Sequence, residues 1–190
     1  MTKYIFDFDD VLFFNTKKFK KHMYDCFAGV GISEDVVKKY YLEERDKGFV
    51  VRNLVEAVLQ GEKVISIGSR ELTERIMVAC TEFINHELLD RIKHIGRENC
   101  YLVTHGVVEY QLEKIQRTGI EPLFAGISII QGTKKESIEK ICEQYKDDKV
   151  VFVDDKEKRF EDLDYVKYPN LRTVLYRGQK STPEIFSVTT

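Results

Sequence analysis

Short apolar runs alternate with longer helix-like stretches along most of the chain. The runs predicted as strands are short, almost continuously apolar and rich in β-branched or aromatic residues: KYIFDF, CYLVTHG, GISII, KVVFVDD and RTVLYR. Helical patterns separate the later strands, for example VVEYQLEKIQRTG, which Gly119 is expected to end, and KKESIEKICEQY. Strands that alternate with helices of this length predict crossover connections and a parallel sheet.

The chain between the first two strands, residues 16–95, has a different pattern. Ser33 is a candidate N-cap before SEDVVKKYY, and apolar residues recur at helical spacing over residues 51–59. A further helix is predicted from Arg70 to about Asn85. This stretch therefore predicts helices and loops without a strand.

A gap of about 90 residues between two strands is too long for a single crossover connection. We therefore predict a small helical domain inserted into an α/β core. The core is expected to comprise residues 1–14 and 96–190, and the helical domain residues 15–95.

Composition limits the classes of function. The chain has 190 residues, of which 43% are hydrophobic, and a formal net charge of −2, as expected for one core with a small insert. Lysines and arginines are interleaved with acids, which argues against a nucleic acid polymer or a membrane surface as partner. The composition thus predicts an ordinary soluble protein without a polyanion partner, and we expect a monomer.

Cysteine spacing and hydropathy bear on the compartment. The four cysteines lie far apart without a C-x-x-C pair, so neither a zinc site nor a disulfide framework is predicted. The N-terminus has no signal-like apolar stretch, and no window reaches the roughly 18 apolar residues of a membrane span. We therefore expect a cytoplasmic protein with reduced thiols.

Chemically active side chains follow the predicted strands. They are two carboxylates at Asp7 and Asp9, the hydroxyl of Thr104, the segment 133–135 with its lysines, and the acids 154–155. In doubly wound sheets, ligands bind beyond the carboxyl ends of the strands, so these groups are expected to converge. Clustered carboxylates repel one another unless a cation lies between them, and hard oxygen ligands suit Mg²⁺.

Four motifs in order carry a resemblance to a known family: DFDDV, LVTHG, KKESI and VVFVDD. Together they resemble the signature of the haloacid dehalogenase superfamily, and the helical insert resembles its C1 cap. THGVVEYQLEKIQRTGI is similar to a segment of the family's capped small-molecule phosphatases and nucleotidases. The resemblance implies a Rossmann-like three-layer core with a parallel sheet and an inserted α-helical cap.

The resemblance also implies catalytic roles. Asp7 would be the nucleophile that forms an aspartyl-phosphate, and Asp9 the general acid and base. Thr104 would donate a hydrogen bond to a phosphoryl oxygen of the substrate. Lys134 would supply a positive charge to the same group, and its position four residues before an isoleucine favours it over Lys135.

Metal binding is implied in the same way. Mg²⁺ would be held by Asp7, the backbone carbonyl of Asp9 and Asp155. Asp154 is expected to be a direct or water-mediated partner of this site.

Three positions depart from the family pattern. Asp10 stands where glycine is most common, which predicts a stiffer and more acidic loop. His105 stands where asparagine is usual, and either binds substrate or caps a turn. Arg159 lies near the position of a further family acid, and Glu161 or Asp162 comes later.

These residues predict a Mg²⁺-dependent phosphatase for a small phosphorylated metabolite, either a sugar phosphate or a nucleotide. A phosphosugar mutase with the same intermediate is the nearest alternative, and a non-catalytic binding protein of the same fold is another. Dehalogenation is less favoured, because it needs no leaving-group acid and Asp9 is present. A phospho-accepting receiver domain is disfavoured, because its aspartate follows the third strand and the candidate here follows the first.

Overall fold

A parallel sheet forms the centre of the α/β part of the protein. The computed structural model describes residues 1–187. Its strands are β1 (Thr2–Phe6), β2 (Cys100–His105), β3 (Gly126–Ile130), β4 (Lys149–Asp154) and β5 (Leu171–Leu175). They lie in the order β3-β2-β1-β4-β5, and every neighbouring pair is parallel. The predicted α/β fold with a Rossmann-like parallel sheet is confirmed.

Helices fill the connections. They are α1 (Lys20–Ala28), α2 (Glu34–Asp46), α3 (Val51–Gly61), α4 (Ser69–Met77), α5 (His86–Ile95), α6 (Val108–Thr118), α7 (Lys135–Gln144) and α8 (Thr182–Phe186). Ser33 precedes α2 in the extended conformation expected of an N-cap residue, although its side chain makes no capping bond. Gly119 ends α6 in the left-handed conformation, with φ +68°.

One helix prediction was too long. The apolar stripe predicted a single helix from Arg70 to about Asn85, but α4 ends at Met77 and a 3₁₀ segment, Val78–Phe83, follows it. A 3₁₀ helix has three residues per turn, so it keeps apolar residues on roughly the same side for a turn or two. The apolar stripe alone could not distinguish an α-helix from a 3₁₀ helix over these residues.

The chain divides into two compact units. One comprises Met1–Phe13, Asn85–His105 and the chain from Ile120 onward, and the other comprises Phe14–Ile84 and Gly106–Gly119. The first contains the sheet, and the second contains α1–α4 and α6. That these units act as a core and a cap stays a prediction.

The core of the sheet unit explains why its strands are apolar throughout. Ile5, Val103 and Phe152 come from three neighbouring strands and are buried against Ile138 and Cys142 of α7. Full burial of one such side chain contributes about 1.5–3 kcal/mol. This packing fixes where the strands end, and hence where the residues that follow them lie.

The helical unit has its own core. The apolar stripe of α3 is buried, with Leu54, Val55 and Val58 fully inaccessible. The guanidinium of Arg117 on α6 donates to both carboxylate oxygens of Glu74 on α4, at 2.9 and 2.6 Å.

Within residues 1–187, no helix combines the length and apolarity that crossing a membrane requires.

Candidate active site

The carboxyl ends of β1 and β4 lie side by side at the centre of the sheet. The strand order reverses between them, since β2 and β3 lie on one side and β5 on the other. Phe6 pairs with Val153, and the backbone N–H of Asp7 donates to the Val153 carbonyl at 2.9 Å. Asp7 and Asp154 therefore follow the paired residues next to each other, at the point where ligands bind in such sheets.

Lys134, at the start of α7, joins these two carboxylates. Its Nζ lies 2.7 Å from Oδ1 of Asp7 and 2.6 Å from Oδ2 of Asp154. The three side chains, here called the inner ion group, are at most 7% exposed. A buried ion group is stable only where close contacts compensate the loss of hydration, and here the single ammonium contacts both carboxylates.

The neighbouring lysine points elsewhere. Lys135 is 39% exposed, and its Nζ donates to the backbone carbonyl of Asp162 at 2.7 Å. The structure thus brings Lys134, and not Lys135, to the predicted nucleophile.

Burial and neighbouring charges shift the pKa of Asp7. Burial raises its pKa from 3.8 to about 6; Lys134 opposes the rise, while Asp154 and Asp9 add to it. Its Oδ1 lies 2.7 Å from Nζ of Lys134 and accepts from the backbone N–H of Phe8 at 2.7 Å. These two contacts orient the carboxylate through Oδ1.

The loop after β1 is a tight turn. The carbonyl of Phe8 accepts from the N–H groups of both Leu12 and Phe13 at 2.9 Å, and Asp10 N–H donates to the Phe13 carbonyl at 2.7 Å. Asp10 has φ +61°, in the left-handed region that glycine adopts most easily and aspartate tolerates better than most residues. This backbone accounts for the glycine that the family pattern most often has at the position, and the same turn sets where Asp9 lies relative to Asp7.

Three carboxylates could hold a metal ion. Asp7, Asp154 and Asp155 each offer an oxygen, and these oxygens lie within 4.8 Å of one another. Both oxygens of Asp154 accept hydrogen bonds, from Lys134 Nζ at 2.6 Å and from the Lys156 N–H at 2.9 Å. Oδ1 of Asp155 is buried and accepts none within residues 1–187. Burial raises the pKa of Asp155, and Lys156 opposes the rise. The set fits a hard cation such as Mg²⁺, with Asp155 the carboxylate most in need of it.

Thr104 and His105 end the neighbouring strand β2. Thr104 is buried and pairs with Ile129 of β3. It comes two residues after Leu102, which pairs with Phe6 of β1. Nε2 of His105 lies 3.1 Å from the backbone carbonyl of Gln131. Burial lowers the pKa of His105, and the charge of Arg159 lowers it further, so the ring is neutral at pH 7. Contact of either residue with substrate stays a prediction.

The later acids and Arg159 do not join the carboxylate cluster found among residues 1–187. Asp162 accepts a hydrogen bond from the hydroxyl of Thr133, and so fixes the segment that carries Lys134. Arg159 lies in a short 3₁₀ segment, Glu157–Phe160, after β4.

Sequence reasoning missed Lys156. Its Nζ lies 3.7 Å from Oδ1 of Asp155. Burial lowers the pKa of Lys156, but the carboxylates of Asp155, Asp7, Asp154 and Asp10 outweigh it, so the pKa is raised. A lysine directly after two acids that end a strand was the available signal.

Comparison with known proteins identifies the fold. No protein-family model matches the chain, and no curated protein matches it. Solved structures do match over nearly the whole chain. A protein assigned as a haloacid dehalogenase-like hydrolase from Burkholderia xenovorans has a TM-score of 0.67 and 18% identity over 98% of this chain and 89% of its own.

Two further structures agree. A HAD-hydrolase from Bacillus subtilis bound to magnesium has a TM-score of 0.52 and 17% identity over 92% of this chain and 86% of its own. A protein assigned as a β-phosphoglucomutase from Thermotoga maritima has a TM-score of 0.53 and 19% identity over 99% of this chain and 93% of its own. Dehalogenases are also among the similar structures.

The chain therefore has the fold of the haloacid dehalogenase superfamily, and the predicted resemblance is confirmed at the level of fold. Identities of 17 to 19% leave the reaction to be inferred from the site.

Proposed function

We propose that the protein is a Mg²⁺-dependent phosphatase that hydrolyses a small phosphomonoester through an aspartyl-phosphate on Asp7. One observation carries the proposal: a buried lysine orients Asp7 beside the carboxylates Asp154 and Asp155, whose oxygens form a cation-sized cluster with it. This arrangement suits phosphoryl transfer, in which positioning and charge compensation supply most of the catalysis.

Asp7 acts as the nucleophile in the first step. Oδ2 attacks phosphorus while Oδ1 stays bound to Lys134 and the Phe8 N–H, which keeps the carboxylate plane fixed. The bond between phosphorus and the ester oxygen breaks, and Asp9 donates its proton to the departing alkoxide. The products are a free alcohol and an aspartyl-phosphate.

Asp9 acts as the base in the second step. Now ionised, it takes a proton from a water molecule that attacks phosphorus, and the bond from phosphorus to the Asp7 oxygen breaks. Orthophosphate leaves, Asp7 is a carboxylate again, and Asp9 regains its proton.

Lys134 and Thr104 bind the transferring group. The ammonium of Lys134 offsets charge on the nucleophile and the phosphoryl oxygens, and Thr104 donates a hydrogen bond to one of them. Mg²⁺ held by Asp7, the Asp9 carbonyl and Asp155 would neutralise phosphoryl charge and reduce the repulsion that an anionic nucleophile meets. The free, buried Oδ1 of Asp155 supports this ligand set, and the magnesium in the Bacillus subtilis structure is consistent with it.

The proposed substrate is a sugar phosphate or a nucleotide. A phosphosugar mutase is the second candidate, supported by similarity to the Thermotoga maritima protein. A mutase would return the phosphoryl group to a second hydroxyl of the substrate. A dehalogenase would release halide, which needs no proton, so the presence of Asp9 favours the phosphatase over it.

Four buried cysteines without a disulfide support the cytoplasm as compartment.

Phosphate release tests the proposal. Purified protein is incubated with a panel of sugar phosphates, nucleotides and an aryl phosphate, with Mg²⁺ or with a chelator, beside Asp7→Asn. We expect release that requires Mg²⁺ and falls at least about 1,000-fold in the variant. Conversion of a sugar phosphate to its isomer without release would select the mutase, and halide release alone would select the dehalogenase.

A further inference from the structure

Lys156 occupies the outer edge of the site, opposite the carboxylate most suited to the metal. Its Nζ lies 3.7 Å from Oδ1 of Asp155, a buried oxygen without a hydrogen bond from residues 1–187. The Lys156 side chain is 57% exposed, whereas Lys134 is 2% exposed. Exposed ion pairs at this distance are weak, so the contact with Asp155 costs little to break, while the other carboxylates still attract the ammonium to the site.

The backbone of Lys156 is fixed even though its side chain is loosely held. Its N–H donates to Oδ1 of Asp154 at 2.9 Å, and Asp154 is fully buried. The ammonium therefore moves on a four-carbon stem about a fixed point at the site. Any position that it takes after leaving Asp155 is still close to the end of β4.

We propose that Lys156 is a mobile cation that Mg²⁺ displaces from Asp155 and that then binds the anionic phosphoryl group of the substrate. The inference rests on the proposed function, because it assumes that the site takes Mg²⁺ and a phosphate. Without metal, the ammonium partly neutralises Asp155. With metal bound, Asp155 is neutralised by the stronger cation, and the ammonium is released.

The charge balance of the site gives the released ammonium a role. Carboxylates outnumber ammonium groups there, so a phosphate dianion is repelled unless further cations offset its charge. Lys134 is already bonded to two buried carboxylates, and it stays with them. Lys156 is the more adaptable lysine, so metal binding prepares the site for the anion and the two ligands bind cooperatively.

Opposite changes in two affinities test the inference. Mg²⁺ is titrated into metal-free protein by calorimetry, and inorganic phosphate is titrated at saturating Mg²⁺. In Lys156→Met, we expect Mg²⁺ to bind about fivefold more tightly, because its competitor is gone, and phosphate to bind about fivefold more weakly. A purely structural role would weaken both.

Lys158→Met is the matched control, since it removes the same charge two residues away from another exposed side chain. We expect it to change neither affinity by more than about twofold. Lys156→Arg keeps the charge and should restore phosphate binding to near the wild-type level.

Unchanged Mg²⁺ affinity in Lys156→Met would overturn the inference, and so would equal effects of Lys156→Met and Lys158→Met. Absence of Mg²⁺ binding by the wild type would overturn it as well. Failure of the proposed function gives a different result, namely no phosphate release by the wild type. Both titrations measure binding and not turnover, so their results can be interpreted even if the wild type releases no phosphate.

Discussion

The two lysines of the site differ in how they are held. Lys134 is buried and bonded to two carboxylates, whereas Lys156 is more than half exposed and 3.7 Å from one. Burial strengthens electrostatic interactions and makes each partner costly to remove. Water weakens the more exposed pair of Lys156 and Asp155, here called the outer pair. The inner ion group is thus a permanent part of the fold, and the outer pair can respond to ligands.

Removal of the inner lysine should have the largest effect on stability. Lys134→Met leaves Asp7 and Asp154 buried side by side without a counter-charge, and we expect the free energy of unfolding to fall by about 3–5 kcal/mol. Lys135→Met, at an exposed position, should change it by less than about 0.5 kcal/mol. Urea unfolding followed by circular dichroism measures both. Similar values for the two variants would mean that the inner ion group does not stabilise the fold.

Variants of the adjacent acids Asp154 and Asp155 should affect different properties, the first stability and the second metal binding. Asp154→Asn weakens the bond to Lys134, and we expect a loss of about 2 kcal/mol with or without metal. Because burial raises the pKa of Asp155, Asp155→Asn should leave the metal-free protein at least as stable as the wild type at pH 7, but abolish the rise in melting temperature that we expect from Mg²⁺. Thermal melts with and without Mg²⁺ test this contrast. A metal-dependent rise that survives in Asp155→Asn would remove Asp155 from the ligand set.

The raised pKa of Asp7 predicts a smaller, pH-dependent effect. Between pH 3.8 and about 6, the folded protein holds a proton that the unfolded chain releases, so metal-free stability falls as the pH rises through this range. Asp7→Asn removes the buried charge, and should be more stable than the wild type by about 1 kcal/mol at pH 7. The difference should disappear toward pH 4. Urea unfolding at both pH values measures it, and a constant difference would contradict the assignment.

The sequence predicted the places where the strands end, and with them the positions of most residues of the candidate site. Strands that are buried on both faces appear in the sequence as continuous apolar runs, so their ends could be predicted. Asp7 and Thr104 could therefore be placed at one edge of the sheet. The choice of Lys134 over Lys135 came from motif spacing, and the structure brings Lys134 to Asp7.

Other features depend on backbone direction, which sequence patterns do not report. Asp154 is the last residue of β4 and Asp155 is the first beyond it, so their different burial follows from where the strand stops. The left-handed conformation of Asp10 and the direction of Lys156 also arise after strands end. These are the positions where local propensity is weakest and long-range contacts decide.

The place of β1 in the sheet has a consequence during synthesis. Of the five strands in residues 1–187, β1 is made before the others, yet its neighbours begin only at Cys100 and Lys149. At about 5–20 residues per second, β1 waits several seconds for its first partner and longer for its second. A nascent chain that stops before Lys149 exposes one edge of an apolar central strand, where aggregation begins most easily. Asp7, attached to the end of that strand, gains its fixed position only after the whole of β4 has been made.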